Sequence, residues 1–156
     1  MYNNIVTIVS SVFYLGYSPL ASGTVASFVG AFLYAALFRR IDMYIFVFII
    51  VTALGFLLSG RMEIILNKKD PSAVVIDEVS GAMIAFFMLP LTAPVMITTF
   101  FLFRAFDMFK TFPADELQKM PGGIGIMMDD VVAGLYTNLV MHAALMLQVV
   151  IGGLRQ

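Results

Sequence analysis

Asp77, Glu78, Asp107, Asp129 and Asp130 of this 156-residue chain fall in three short motifs. Asp77 and Glu78 stand side by side at the end of Asp70-Pro71-Ser72-Ala73-Val74-Val75-Ile76-Asp77-Glu78. Phe103-Arg104-Ala105-Phe106-Asp107-Met108-Phe109-Lys110 follows. On a helix its Arg104, Asp107 and Lys110, three apart, share a face. The third motif, Gly122-Gly123-Ile124-Gly125-Ile126-Met127-Met128-Asp129-Asp130, reads as a glycine-rich loop that ends in two acids opening the last helix. Brought together, five carboxylates beside Arg104 and Lys110 carry a surplus of three negative charges. Packing such a cluster out of bulk water is costly unless cations join it. Carboxylate donors, in a chain with no cysteine and one histidine, select hard ions, Mg²⁺ above all. With Mg²⁺ in place an anionic phosphate can enter, and an ion can activate water. Arg104 and Lys110 suit the phosphoryl oxygens. The joint pattern predicts metal-dependent phosphoryl chemistry.

Taken singly, each motif is ordinary. Paired acids cap helix N-termini, and Arg104, Asp107 and Lys110 also fit an interfacial ion-pair stripe. Gly122-Gly123 serves a turn, or offers backbone N–H groups to phosphate. His142 reads as a helix–helix hydrogen-bonding residue rather than a ligand. Ser22 and Thr24 read as helix-cap residues, since no histidine base accompanies them as nucleophiles. The absence of cysteine removes disulfides, thiolate zinc sites and cysteine-nucleophile chemistry. A net charge of −1 argues against a nucleic-acid partner.

The elements that must position these groups are apolar. The hydrophobic fraction is 61% and the charged fraction 12%, against roughly 25% charged in soluble domains, and mean hydropathy is +0.97. Lipid is therefore the expected solvent for much of the chain. Charges gather in residues 61–78 and 104–130, with Arg39, Arg40, Asp42 and Arg155 apart. Between them lie charge-free stretches. The start, Met1-Tyr2-Asn3-Asn4, lacks the basic residues of a secretory signal, and residues 5–16 fit a short interfacial or re-entrant helix. Residues 24–38 and 43–59 read as helices a little short of the usual ~20-residue span, the first starting near Ser22-Gly23-Thr24. Residues 79–103 contain Pro90 and Pro94, which break a helix interior. The expectation is a hairpin that returns Asp107 to the face of Asp77. Residues 131–151 make one good span. The expected fold is an all-α membrane bundle, a single domain over residues 1–156 with about five membrane segments. Small residues four apart, at Ser22, Ala26 and Gly30 and at Gly81 and Ala85, allow close helix packing.

In that topology both charge-rich windows share a membrane face. Lys and Arg divide six against three in favour of that face, which predicts that it is cytoplasmic. A rival reading is an ion-coupled small-solute transporter, motivated by acids near a broken hairpin. A third is a scaffold without turnover. Oligomeric state is not readable from the small-residue faces, which serve packing within one chain equally well.

Four stretches resemble the phosphatidylglycerophosphatase A family, in that family's order. They are Pro19-Leu20-Ala21-Ser22-Gly23-Thr24-Val25-Ala26-Ser27, residues 70–81, residues 103–113 and residues 122–134. The run Gly-Gly-Ile-Gly-Ile-Met-Met-Asp-Asp-Val-Val-Ala-Gly at 122–134 is specific, as is Asp-Glu followed by Phe-Arg-Ala-Phe-Asp. Two positions depart: Thr111 follows Lys110 where the family usually has proline, and Ser22 stands in the usual Ala-Pro-Gly-Thr. The resemblance implies a Mg²⁺-dependent lipid phosphatase of the bacterial inner membrane. It would remove the terminal phosphate of phosphatidylglycerophosphate to give phosphatidylglycerol. The family's acidic positions fall on Asp77, Glu78, Asp107, Asp129 and Asp130 as metal ligands. Asp129, Asp130 and Lys110 are the candidate catalytic residues, and Arg104, Lys110, Thr24 and Gly123 the candidate substrate contacts. An anionic phospholipid is the expected partner.

Overall fold

Apolar runs with few internal breakers form helices, and the breakers mark the ends. The computed structural model describes residues 2–19 and 21–153. Leu20 and Arg155, both used above, lie outside the described residues. Seven α-helices occur there: α1 (Tyr2–Ser10), α2 (Ser22–Leu37), α3 (Ile41–Leu66), α4 (Ile76–Phe86), α5 (Ala93–Phe109), α6 (Ala114–Leu117) and α7 (Gly123–Gly153). A 3₁₀ turn spans Leu15–Tyr17, and the described residues contain no strand. The all-α expectation holds.

Two helices, α3 and α7, are long and apolar enough to cross a membrane. Only 11% of the most apolar stretch of α3 is buried, and 17% of that of α7, so their apolar sides face outward, unlike the core helix of a soluble domain. Of the five membrane segments expected, these two have spanning length; α2, α4 and α5 have 16, 11 and 17 residues. The expected continuous helix over residues 5–16 is not present. It stops at Ser10, because the Ser11 hydroxyl donates to Thr7 O at 2.6 Å and accepts from the Tyr14 N–H at 3.0 Å. Such local bonds compete with the helical ladder, and Val12, Phe13 and Tyr14 follow at positive φ.

The proline-broken hairpin is as expected. α4 ends at Phe86, residues 87–92 turn, and α5 starts with Pro94 in its first turn, where a missing N–H costs nothing. Carbonyls at the tip are taken up by side chains from three other helices. The Tyr34 hydroxyl of α2 donates to Leu89 O and the Tyr44 hydroxyl of α3 donates to Met83 O. The Asn138 amide of α7 donates to Ala85 O at 3.2 Å and Phe87 O at 2.8 Å. This satisfies carbonyls that the end of α4 leaves without helical partners.

The centre of the bundle is α4, clasped between α2 and α7. Both contacts depend on missing side chains. A Cβ on Gly30 would stand 2.7 Å from Val79 O, and one on Gly81 2.6 Å from Asp130 O. Conversely, a Cβ on Gly134 would run into Gly81 O. The last helix differs from expectation at its start. Gly123 and Gly125 are helical, so Asp129 and Asp130 lie in the second turn of α7 and do not cap it. The turn itself is Gly122, at φ +67. Gly123 lies so close to α3 that a Cβ would strike Phe56 O, which is why the glycines read as a loop while serving a helix contact.

Candidate functional site

Three helix ends meet at one end of the bundle. The first turn of α4 carries Asp77 and Glu78, the second turn of α7 carries Asp129 and Asp130, and the last turns of α5 carry Arg104 and Asp107. The α4–α5 hairpin and the α4–α7 glycine contact bring them together. Asp77, Glu78 and Asp130 each offer one carboxylate oxygen, all within 4.8 Å of one another. Asp107 lies within electrostatic reach of Glu78 and Asp130, and Asp129 within that of Asp77. All five sequence-predicted acids therefore share one neighbourhood.

Two cations flank the acids. Arg104 Nη1 donates to Asp107 Oδ2 at 2.5 Å and to Ser27 Oγ at 3.5 Å. Lys110, just past the end of α5, donates from Nζ to Asp129 Oδ2 at 2.5 Å. Burial lowers the Lys110 pKa, but the hydrogen bond to Asp129 and the charges of Asp129, Asp70 and Asp130 outweigh it and hold the ammonium above the ordinary lysine value. It stays charged.

Neutralisation is nevertheless incomplete. Among the described residues seven buried side-chain polar atoms lack a hydrogen-bond partner, and four are carboxylate oxygens of this cluster: Asp77 Oδ1, Glu78 Oε2, Asp129 Oδ1 and Asp130 Oδ1. Buried carboxylate oxygens without donors cost several kcal/mol unless a cation takes them up. The donor set is all oxygen, which fits Mg²⁺.

The remaining predicted contacts divide. The N-terminus of α2 closes the site: a Cβ on Gly23 would meet the Glu78 carboxylate and stand 3.4 Å from Arg104 Nη1. Thr24 is the next residue of that turn and is partly buried. Gly123 is instead packed on α3, against Phe56 and Gly60. His142 Nδ1 pairs with Asn138 O of its own helix at 3.0 Å, a correction to the helix–helix role expected of it; the i−4 carbonyl is its nearest partner. Sequence reasoning passed over Ser27 and Asp70. Ser27 is fully buried and braces Arg104. Asp70 adds charge beside Lys110 and Asp129 and is itself held, its N–H by Glu63 Oε1 at 3.0 Å and its carboxylate by Gln118 Nε2 at 3.1 Å. A polar residue in an apolar run, and an acid two motifs away, were the available signals.

The family model described as phosphatidylglycerophosphatase A matches residues 8–145. A phosphatidylglycerophosphatase A of Haemophilus influenzae is 35% identical over 129 residues, covering 79% of this chain and 78% of that protein. The phosphatidylglycerophosphatase A of Escherichia coli is 29% identical over 130 residues, covering 81% and 76%. A protein of Bacteroides thetaiotaomicron, whose name assigns it provisionally to the phosphatidylinositol-3-phosphatases, is 30% identical over 138 residues, covering 83% and 86%. No solved structure shows significant similarity. The carboxylate neighbourhood and the flanking cations all lie within the matched residues, and the chain belongs to the phosphatidylglycerophosphatase A family.

Proposed function

We propose that the protein is a Mg²⁺-dependent phosphatase that removes the terminal phosphate of phosphatidylglycerophosphate, leaving phosphatidylglycerol. The observation that carries this is the convergence of Asp77, Glu78 and Asp130 within 4.8 Å, with buried oxygens left without donors. These three, with Asp107 and Asp129 beside them, would hold the metal. Bound Mg²⁺ would supply positive charge for the phosphoryl oxygens and for an attacking water. Arg104 and Lys110 bind and orient the phosphate. Lys110 spends one N–H on Asp129 and has two left for phosphoryl oxygens. Asp129, outside the close trio, accepts the proton of the attacking water on its free Oδ1. As the water oxygen bonds to phosphorus, the bond to the glycerol oxygen breaks, and that oxygen takes up the proton that Asp129 gives back. Asp130 is the alternative base. Thr24, at the α2 N-terminus, is a further contact to the phosphate.

The setting is a bacterial inner membrane crossed several times, with α2 and the α4–α5 hairpin embedded beside α3 and α7 and the acids at the cytoplasmic face. Location of the acids in the first turn of α4 and about two turns into α7, rather than at mid-helix, favours an enzyme over an ion-coupled transporter. The test is phosphate release by the full chain in mixed micelles. Phosphatidylglycerophosphate with Mg²⁺ should be turned over and excess chelator should stop it. Its kcat/KM should exceed that for phosphatidic acid and phosphatidylinositol-3-phosphate by about tenfold or more, a difference of ~1.4 kcal/mol. Equal or faster turnover of the inositol lipid would overturn the substrate assignment, and turnover indifferent to chelator would overturn the metal.

A further inference from the structure

Resting on that reading, we infer that an apolar groove between α2 and α5 receives one acyl chain of the phospholipid whose headgroup lies at the acid cluster. The groove has a volume of about 360 Å³. Its walls are two i,i+4 pairs, Phe28 and Phe32 on α2 and Ile97 and Phe101 on α5, all exposed, and its floor includes buried Ala31 and Phe100. Phe28 and Phe100 stack at one end with ring centroids 4.1 Å apart. That end abuts the headgroup site. Phe28 directly follows Ser27, which braces Arg104, and Phe101 and Phe100 lie one turn before Arg104 on the same helix. The two helices run antiparallel, so the groove leads from Arg104 toward the hairpin tip. From Arg104 to Ile97 the drop is about 10 Å, the length of roughly eight methylenes. The acyl-bearing glycerol stands one glycerol and one phosphodiester away from the terminal phosphate, so a phosphate held by Arg104 leaves it within reach of the mouth of a slot of the right polarity and direction. A second apolar cleft, lined by Tyr44, Phe48, Met83 and Leu135, lies toward the hairpin tip, where the Tyr44 hydroxyl donates to Met83 O, and away from Arg104 and Lys110.

The occupant can be read without turnover. A non-hydrolysable phosphonate analogue of phosphatidylglycerophosphate, carrying a diazirine about eight carbons along one acyl chain to match the ~10 Å depth, is placed in phosphatidylcholine vesicles with the full chain. After photolysis, labelled peptides are mapped. Labelling should concentrate on residues 28–35 and 96–101, and excess unlabelled phosphonate should reduce it about tenfold, the scale of a specific lipid competing for one site. Ala31→Leu, which fills the floor, should reduce it several-fold. Even labelling of all outward-facing helices, labelling of the α3–α4–α7 cleft instead, equal labelling by a phosphatidylcholine probe, or cross-links between two copies through α2 and α5 would each overturn the inference. Phosphate release from phosphatidylglycerophosphate is scored separately, in Mg²⁺-containing vesicles that hold the same chain and no phosphonate. Release with no groove labelling sinks the groove alone; competed groove labelling with no release leaves the groove and sinks the phosphatase.

Discussion

The two ends of the α4–α5 hairpin handle buried polar groups in opposite ways. At the tip, Tyr34, Tyr44 and Asn138 reach across from three helices to satisfy four carbonyls. At the other end, four buried carboxylate oxygens have no donor. Helices α4 and α7 take part at both ends, α7 through Asn138 at the tip and through Asp129 and Asp130 at the acids, so the shortfall is not a packing failure of these helices. A chain that supplies donors so fully at the tip could supply them at the acids. Under the proposed function those oxygens are the ones a bound cation would take up, at the expense of stability without it.

The sharpest way to break this comparison is to neutralise one acid. Asp130→Asn should lower phosphate release by about 10³-fold, the loss of ~4 kcal/mol of transition-state stabilisation. In chelator the same variant should unfold at higher temperature than the native chain, since one buried repulsion is gone. A lower melting temperature in chelator would mean that the acids are structural partners. Mg²⁺ supplies the second test. At about a hundred times its dissociation constant it should stabilise the native chain by ~2.7 kcal/mol, and the gain should shrink in Asp130→Asn. At the tip the expected pattern inverts. Tyr44→Phe leaves Met83 O buried without a donor and should cost about 1–3 kcal/mol of stability, with turnover per folded molecule unchanged. Loss of turnover without loss of stability would tie the tip to the chemistry. The smallest effect belongs to Ser27→Ala. Its 3.5 Å bond to Arg104 is weak, so KM should rise about two- to threefold with kcat held, a difference of ~0.5 kcal/mol.

Much of the site was legible because its signals are chemical and local. Pro90 and Pro94 announce the hairpin, and the hairpin alone carries Asp107 back to Asp77. Charge-free stretches mark the helices, and the three acidic motifs mark the side chains that converge. Other features resist reading because their causes are distant in sequence. Gly123 and Gly125 look like a loop; both are helical, and a side chain is excluded at Gly123 by Phe56 O of α3 and at Gly125 by Met120 O, partners that cannot be paired with them by inspection. α3 continues beyond Ser59 through Arg61 and Glu63 to Leu66, since a helix need not stop where its apolar run does. Tyr34, Tyr44 and Asn138 give no hint of their carbonyl partners, which lie tens of residues away. Substrate identity has no local signature either: Arg104 and Lys110 would greet any phosphate.

Gly81 and Gly134 place the backbones of α4 and α7 against each other, with no side chain between them to yield. Asp77 and Glu78 ride on one of these helices and Asp130 on the other. The jaws of the cluster are thus fixed like those of a calliper. An ion gripped by both must suit a gauge set by main-chain contact, and a larger divalent ion such as calcium, with its longer bonds to oxygen, would have to pry the two helices apart.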